Sequence, residues 1–434
     1  MNAERSLPTT PARRPRTLAL MGTAMLAAAL VTTPAAAAPP PTAKIDVLPT
    51  FSEAMDILRQ REGLVQTNSQ ARTDIRWLLK AERLTRGRRV PAGRRFTIER
   101  VIQVNAWWFR SRGAPRQRVI LHGSDGVLFN YHWGVGFVFN PVATAGRWQK
   151  LNAKVSVVQL AKSLAPFAVQ RRYGNKRWLA FEYYDDRDRP GEFIPGTSAM
   201  AQARVAQIFA NAWTKTGDRR YPSMATRTMR FFSIPTRAQG GRAILPSPVD
   251  GSRFLWYPER VFPGEDPWKG AALNGFMAAL IDLYSTSTRL GMPVKGSPTL
   301  GPSFRRQLKR EQVLARRLAS AGTRSVARAL PLHDTGSWSL YGLRVPGYGN
   351  KPLVADLTYH CYHIILLRAL DRRQPGLGLI DRARRWQSYV NRKRLKCPQK
   401  NAAIPGEDPG AASPLPETPD LPPLDELPPD PVPN

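Results

Sequence analysis

The sequence "VADLTYHCYHIILLRAL", residues 354–370, decides how the C-terminal half of the chain is interpreted. Its apolar residues recur every three or four positions, which predicts an amphipathic helix. Two tyrosines, two histidines and a cysteine nevertheless fall between Tyr359 and His363. A helix that only fills a core rarely carries so many polar side chains together. The pattern leaves open what these side chains face.

Two of these polar residues, His360 and His363, stand one helical turn apart, a spacing that can hold a metal ion. No third ligand follows nearby in the sequence, and the whole chain has five histidines. We therefore interpret both as hydrogen-bonding residues and predict neither a metal site nor an organic cofactor. No P-loop, nucleophile elbow or paired-cysteine motif indicates another chemistry.

The first residues of the chain are expected to direct export rather than to fold. Arg13, Arg14 and Arg16 closely precede the short apolar run "LALMGTAMLAAALV" and the segment "TPAAAAPPP". This order is typical of a secretory signal peptide, here residues 1–38 with cleavage near Ala36–Ala38, and an uncleaved anchor is the alternative. The arginine pair also suits twin-arginine export, so the route stays open. The protein is expected to be secreted or associated with the cell envelope.

The C-terminal end is also predicted to lie outside the fold. Residues 399–434 are rich in proline, and from Asn401 onward they include seven acidic residues and no basic one. Such a segment cannot bury enough apolar surface to fold, so a disordered tail is expected. Just before it stands Cys397, whose only possible partner in the chain is Cys361. Export permits this disulfide, but the sequence leaves the pairing open.

The region between the two ends is strongly basic. Without the four arginines and one glutamate of residues 1–38 and the seven acids of the tail, it has 61 basic and 24 acidic residues, a net charge of +37. This charge would attract polyanions, which for an exported protein are acidic polysaccharides, teichoic acids or membrane surfaces rather than nucleic acid. A compositional bias towards arginine is the alternative explanation, and both stay open.

The pattern along the chain predicts an α+β protein of two packed modules. Residues 39–150 are predicted to form a helical lead-in, with helices over 51–85, and a β-rich module whose strands lie over 95–140, from "FTIERVIQVNAWWFR" to "GVLFNYHWGVGFVFN". Helices are predicted to dominate residues 151–398, where long polar loops join them. This order suits an α/α toroid, an incomplete α/α barrel, whose loops gather at one mouth. The predicted helices are 155–171, 198–215, 222–233, 269–289, 302–329, 353–371 and 377–395.

Over about residues 140–395 the chain resembles the C-terminal domain of D-glucuronyl C5-epimerases. The resemblance rests on an ordered set of segments: "TSAMAQARVAQIFANAWTKTGDRRY", "QGG", "FLWYP", "ALNGFMAALIDLY", "LPLHDTGSWSLYGLR" and "LTYHCYH". Enzymes of this family convert D-glucuronate to L-iduronate within heparan-type polysaccharides. The resemblance therefore implies an isomerase that acts on an acidic polysaccharide.

The resemblance also implies site residues. The family places tyrosines at the catalytic cleft, and Tyr257 in "WYP", Tyr341 in "SLYGLR" and Tyr359 in "LTYHCYH" match these positions. Core tyrosines with satisfied hydroxyls are the alternative for each residue taken alone. Four further residues fall in or near the implied uronate site, namely Gln202, Asn274, Arg344 and His363.

Tyrosines suit the implied reaction. Removal of the C5 hydrogen beside a carboxylate creates an enolate, so the site needs a cation or strong donors at that carboxylate. Inversion needs one group that takes a proton from one face of the sugar and another that supplies a proton to the opposite face. Tyr359 is expected to be one of these groups and Tyr257 or Tyr341 the other, with Arg344 at the carboxylate.

The sequence departs from the family pattern at three positions. Trp256 replaces the family's acidic residue before the first tyrosine, and Glu259 can replace that acid only if the local backbone has shifted. Gly342 stands for an acid in the family's "YDLR", and Ala201 for a glycine in "AMGQ". These departures bear on activity more than on the fold.

The sequence thus predicts an exported uronate 5-epimerase that acts on an acidic polysaccharide. A catalytically silent glycan-binding protein is one alternative, favoured by Trp256. A uronate lyase is another, because the same C5 carbanion eliminates when the C4 oxygen is protonated. We expect no nucleic-acid partner and no stable membrane span after signal cleavage, and a homodimer stays open.

Overall fold

A computed structural model of the chain describes residues 42–398, except 68, 88–89, 116–118, 152–154, 185–192, 248, 295–299 and 344–350, and except the side chains of 147–151. The described residues lie within one compact unit. The predicted signal peptide and acidic tail, and Arg344, lie outside the described residues.

The first part of the described chain combines three helices with one sheet. The helices are α1 (Phe51–Leu64), α2 (Gln70–Ala81) and α3 (Ala92–Phe109). The strands are β1 (Thr42–Lys44), β2 (Ile120–His122), β3 (Leu128–His132) and β4 (Gly136–Phe139). They pair in the order β1-β2-β3-β4, with β1 parallel to β2 and the other pairs antiparallel.

The prediction of a strand over "FTIERVIQVNAWWFR" was wrong, because these residues form most of α3. Their β-branched residues favour a strand by propensity, but burial recurs at helical spacing, at Ile98, Val101, Ile102 and Asn105. The Asn105 side chain donates to the Phe137 carbonyl at 2.7 Å and accepts from the Phe137 N–H at 2.8 Å. The helix is thus fixed to the sheet that does follow it.

Helices dominate the described part of residues 151–398, as predicted, and they begin earlier than predicted, at residue 141. They are α4 (Pro141–Leu151), α5 (Val157–Leu164), α6 (Ala199–Thr216), α7 (Arg220–Met229), α8 (Leu273–Gly291), α9 (Pro302–Ala329), α10 (Leu357–Arg373) and α11 (Leu379–Arg392). Three antiparallel hairpins lie between them: β5 (Val169–Tyr173) with β6 (Lys176–Ala180), β7 (Ala243–Pro246) with β8 (Arg253–Trp256), and β9 (Leu340–Gly342) with β10 (Leu353–Val354). The predicted helix 155–171 ends early because Val169 pairs with β6.

Helix α8 lies at the centre of this half and packs against α6, α9 and α10. Nearly all of its residues are buried. Gly322 of α9 allows a close approach, since a Cβ at this position would lie 2.3 Å from Leu280 of α8. Burial of apolar surface on all sides of α8 thus fixes the helices that carry the candidate site.

The α+β class is confirmed, and one core cluster of buried side chains extends from Ile45 to Val390. The arrangement of the C-terminal helices as an α/α toroid stays a prediction. Cys361 and Cys397 form a disulfide that joins α10 to the segment after α11. Among the described helices, none has the length and apolar character needed to cross a membrane.

Candidate active site

Two of the predicted tyrosines meet where β9 approaches the start of α10. The rings of Tyr341 and Tyr359 lie edge to face, with centroids 4.8 Å apart. Helix α10 begins here because the Asp356 carboxylate caps it, accepting from the Tyr359 N–H at 2.8 Å. Tyr359 is 40% exposed and Tyr341 is partly buried. Both tyrosines can therefore meet one sugar residue at the surface.

The third member of this group is Glu259, whose carboxylate lies close enough to Tyr341 for each to shift the pKa of the other. The segment before α8 holds it in place, since the Glu259 N–H donates to the Gly270 carbonyl at 2.7 Å. A Cβ at Gly275 would lie 2.6 Å from Glu259 Oε2, so the glycine of "NGF" makes room for this carboxylate. An acid two residues after Tyr257 thus lies beside a site tyrosine.

Burial controls the protonation of this pair. It raises the pKa of Glu259 above the ordinary glutamate value, against the opposing effects of the Arg204 charge and of the Tyr341 hydroxyl. Burial also raises the pKa of Tyr341, and the nearby Glu259 carboxylate raises it further. Tyr341 is therefore a neutral phenol that can donate to Glu259, and Glu259 is a stronger proton acceptor than an exposed glutamate.

Arg204 of α6 provides a cation near this carboxylate. Its side chain is only 13% exposed, and its Nε donates to Asp282 Oδ2 of α8 at 3.2 Å. Burial raises the pKa of Asp282 to about 6. Tyr362 of α10 lies near Arg204, and burial raises the pKa of Tyr362 to about 12. The sequence analysis missed Arg204, although an arginine on the otherwise apolar, buried face of a predicted helix was a visible signal.

Tyr257 lies away from the exposed tyrosine pair, inside the core. It is fully buried, and its hydroxyl donates to the Leu318 carbonyl at 3.2 Å. Its ring contacts Phe276 edge to face at 5.4 Å. The preceding Trp256 is also buried and packs on Phe276 at 4.3 Å. The "WYP" segment therefore fills the core, and the geometry does not support the acid/base role that the resemblance implied for Tyr257.

Three predicted binding residues are buried as well. Gln202 clamps the backbone of Phe181, donating to its carbonyl at 3.0 Å and accepting from its N–H at 3.2 Å. Asn274 lies in the first turn of α8, and its Oδ1 has no hydrogen-bond partner among the described residues. His363 is fully buried, with Nδ1 3.0 Å from Ser339 Oγ. Gln202 and His363 thus hold the protein together at the site instead of lining an open cleft.

The interpretation of His360 and His363 as hydrogen-bonding residues is confirmed, since both contact Ser339. Within the described part of the chain, no group of three or more histidine, cysteine, aspartate or glutamate side chains could hold a metal ion.

Comparison with known proteins supports the resemblance. Residues 177–388 match the family model described as D-glucuronyl C5-epimerase C-terminus. This segment is similar to that family. It contains all three of the predicted tyrosines, together with Glu259 and Arg204. The chain is also 28% identical over 313 residues to a D-glucuronyl C5-epimerase of Caenorhabditis elegans, an alignment that covers 70% of this chain and 46% of the relative. The chain thus spans about half the length of the curated relative that it matches.

Proposed function

We propose that the protein is a uronate 5-epimerase that inverts C5 of glucuronate residues in an acidic polysaccharide. The observation that carries the proposal is the contact of Tyr341 with the exposed Tyr359, with the Glu259 carboxylate beside Tyr341. The match of residues 177–388 to the D-glucuronyl C5-epimerase C-terminus supports it. The Caenorhabditis elegans relative is a D-glucuronyl C5-epimerase, which supports the same class of substrate.

The pair Glu259–Tyr341 can act as one proton acceptor. As the C5–H bond breaks, its proton passes to the Tyr341 oxygen, and the Tyr341 hydroxyl proton passes to Glu259. The electron pair of the C5–H bond moves into the sugar carboxylate, giving an enolate. A tyrosine with a raised pKa is a neutral phenol, which can take the C5 proton only if it passes its own hydroxyl proton on, and the Glu259 carboxylate accepts that proton.

Tyr359 can act on the other face of the sugar. Its neutral hydroxyl donates a proton to C5 as the enolate collapses, which forms the C5–H bond of the inverted product. The reverse reaction uses the same groups in exchanged roles. The charge that develops on the carboxylate oxygens needs a cation, and Arg204 is the candidate within the described residues, while Arg344 stays a candidate from the resemblance.

The two alternatives keep distinct expectations. A silent glycan-binding protein was favoured by the loss of the family acid at Trp256, but Glu259 supplies a carboxylate at the tyrosine pair. A lyase would use the same abstraction of the C5 proton and would also protonate the C4 oxygen. No contact among the described residues distinguishes the lyase from the epimerase, so product analysis must do so.

We further propose that the protein is exported by residues 1–38, that its partner is a uronate polysaccharide, and that α5–α11 form an α/α toroid. The signal-like sequence and the net charge of +37 on the region between the two ends support the first two. The serial packing of α6, α8 and α10 supports the third.

The proposal is tested by incubation of the protein with a panel of uronate polysaccharides and analysis of the products by NMR. We expect L-iduronate signals to grow with at least one glucuronate polymer. An unsaturated uronate, seen by ultraviolet absorbance, would instead establish the lyase. Binding without either product would establish the silent binder.

A further inference from the structure

A buried hydroxyl joins the two histidines beneath the tyrosine pair. Ser339, directly before β9, is fully buried. Its Oγ lies 2.8 Å from His360 Nδ1 and 3.0 Å from His363 Nδ1. Both imidazoles belong to α10, so this hydroxyl links the strand that carries Tyr341 to the helix that carries Tyr359.

The neighbouring groups decide where the protons lie. His360 Nε2 is 3.1 Å from the Trp386 carbonyl, which can only accept, so Nε2 carries the proton. In a neutral imidazole the Nδ1 of His360 is then an acceptor, which agrees with the 3.2 Å bond that it receives from the Ser339 N–H. The Ser339 hydroxyl therefore donates to His360, and its oxygen accepts from His363 Nδ1–H.

This series of hydrogen bonds gives His363 the less common tautomer. Its Nδ1 carries the proton, and its Nε2 is a bare lone pair that has no hydrogen-bond partner among the described residues. Burial lowers the pKa of both histidines, which keeps them neutral. Only one nitrogen of His363 is thus used in the structure, although the residue is completely buried.

The connection reaches both candidate acid/base groups over short stretches of backbone. Tyr341 follows Ser339 by two residues, while Tyr359 immediately precedes His360. The Ser339 carbonyl also accepts from the Ala355 N–H at 3.0 Å, just before α10 begins. The disulfide at Cys361 fixes the same turn of α10. A change in this contact would therefore move β9 relative to the first turn of α10.

We propose that Ser339 and His363 are positioning residues, whose hydrogen bond fixes Tyr341 relative to Tyr359 for proton transfer at C5. The inference rests on the proposed epimerase function. Neither residue is required to touch the sugar, so polymer affinity should not depend on them. A displacement of about 1 Å at reacting groups can lower a rate about 10²-fold, so the effect should lie in kcat.

Two amide variants of His363 form a matched test. The side-chain nitrogen of asparagine can occupy the place of Nδ1, whereas the longer glutamine places its amide near Nε2. His363→Asn keeps the donor to Ser339 and should retain kcat within about threefold, whereas His363→Gln should lower kcat about 10- to 100-fold with KM unchanged. Ser339→Ala removes the bond to His360 as well and should lower kcat at least as much as His363→Gln, and the double variant should be no worse than Ser339→Ala, because the bond to His363 is already lost.

The measurement combines kcat, KM and melting temperature for all variants with imidazole nitrogen NMR of the wild-type protein. NMR should show His363 protonated at Nδ1. Protonation at Nε2, or equal kcat in the asparagine and glutamine variants at equal melting temperature, would overturn the positioning role. If the wild-type protein leaves C5 unchanged in every polymer, the proposed function is overturned instead. The protonation state of His363 would still show whether Ser339, His360 and His363 are hydrogen-bonded as described.

Discussion

The substitution Glu259→Gln tests the least expected member of the site. Glutamine has nearly the size of glutamate, and its amide oxygen can still accept from the Tyr341 hydroxyl. The neighbours of the side chain, including Gly275 and Arg204, keep their places. The variant therefore removes one property, the ability of the carboxylate to take the proton that Tyr341 releases.

The expected loss follows from that role. General acid/base groups contribute about 10²- to 10⁴-fold, and we expect kcat of Glu259→Gln to fall within this range with polymer affinity unchanged. Stability should move in the opposite direction. Because burial raises the pKa of Glu259, its ionised form disfavours the folded state as pH rises through that pKa. The neutral amide should therefore equal or exceed the wild type in melting temperature at neutral pH.

The pH profile gives a second readout. Glu259 accepts a proton only when ionised, so kcat/KM should fall with decreasing pH at a value above the ordinary glutamate pKa. Glu265→Gln is the matched control, because Glu265 pairs with Arg260 at 3.0 Å in the same segment. It should change kcat by less than about threefold. Retained exchange at C5 in Glu259→Gln, with the control equally active, would refute the relay through Tyr341.

Further predictions compare the exposed Tyr359 with the buried Tyr257 and test the disulfide and the role of the net charge in polymer binding. Tyr359→Phe should lower C5 exchange about 10²-fold or more without loss of binding; an unchanged rate would remove it from the mechanism. Tyr257→Phe should keep kcat and cost about 1 kcal/mol in denaturant unfolding, from its lost bond to Leu318; a large loss of kcat would restore its catalytic role. Cys397→Ser opens a disulfide loop of sequence separation 36 and should lower unfolding free energy by about 3–4 kcal/mol; unchanged stability would contradict the pairing. Affinity for a uronate polymer should fall steeply with salt, and salt-independent binding would make the net charge compositional.

The sequence predicted most where pattern and packing agree. Helix α9 has the predicted bounds, Pro302–Ala329, because a proline suits the first turn and one apolar stripe continues to the end. Helix α3 was missed because its β-branched residues favour a strand locally, while packing against α1 decides the outcome. The hairpin of β5 and β6 was missed because only its pairing, not its composition, distinguishes it from a helix end.

For the site, the meeting of Tyr341 and Tyr359 could be predicted from the family pattern, but the role of Tyr257 could not. A sequence such as "WYP" matches the family motif whether the tyrosine side chain faces a cleft or the core. The segment between Tyr257 and α8 instead places Glu259, two positions after Tyr257, beside Tyr341. Arg204 was missed because its partners, Asp282 and Tyr362, come from helices far apart in the sequence.

The central claim is that separate groups act on the two faces of C5. It is tested most directly with a glucuronate polymer that carries deuterium at C5, incubated in ordinary water and sampled before the back reaction begins. If separate groups act on the two faces, L-iduronate should contain ordinary hydrogen at C5 from the first turnover, while the remaining D-glucuronate keeps its deuterium. L-iduronate that retains the deuterium would show that one group carries the same proton between the faces, and would contradict the account.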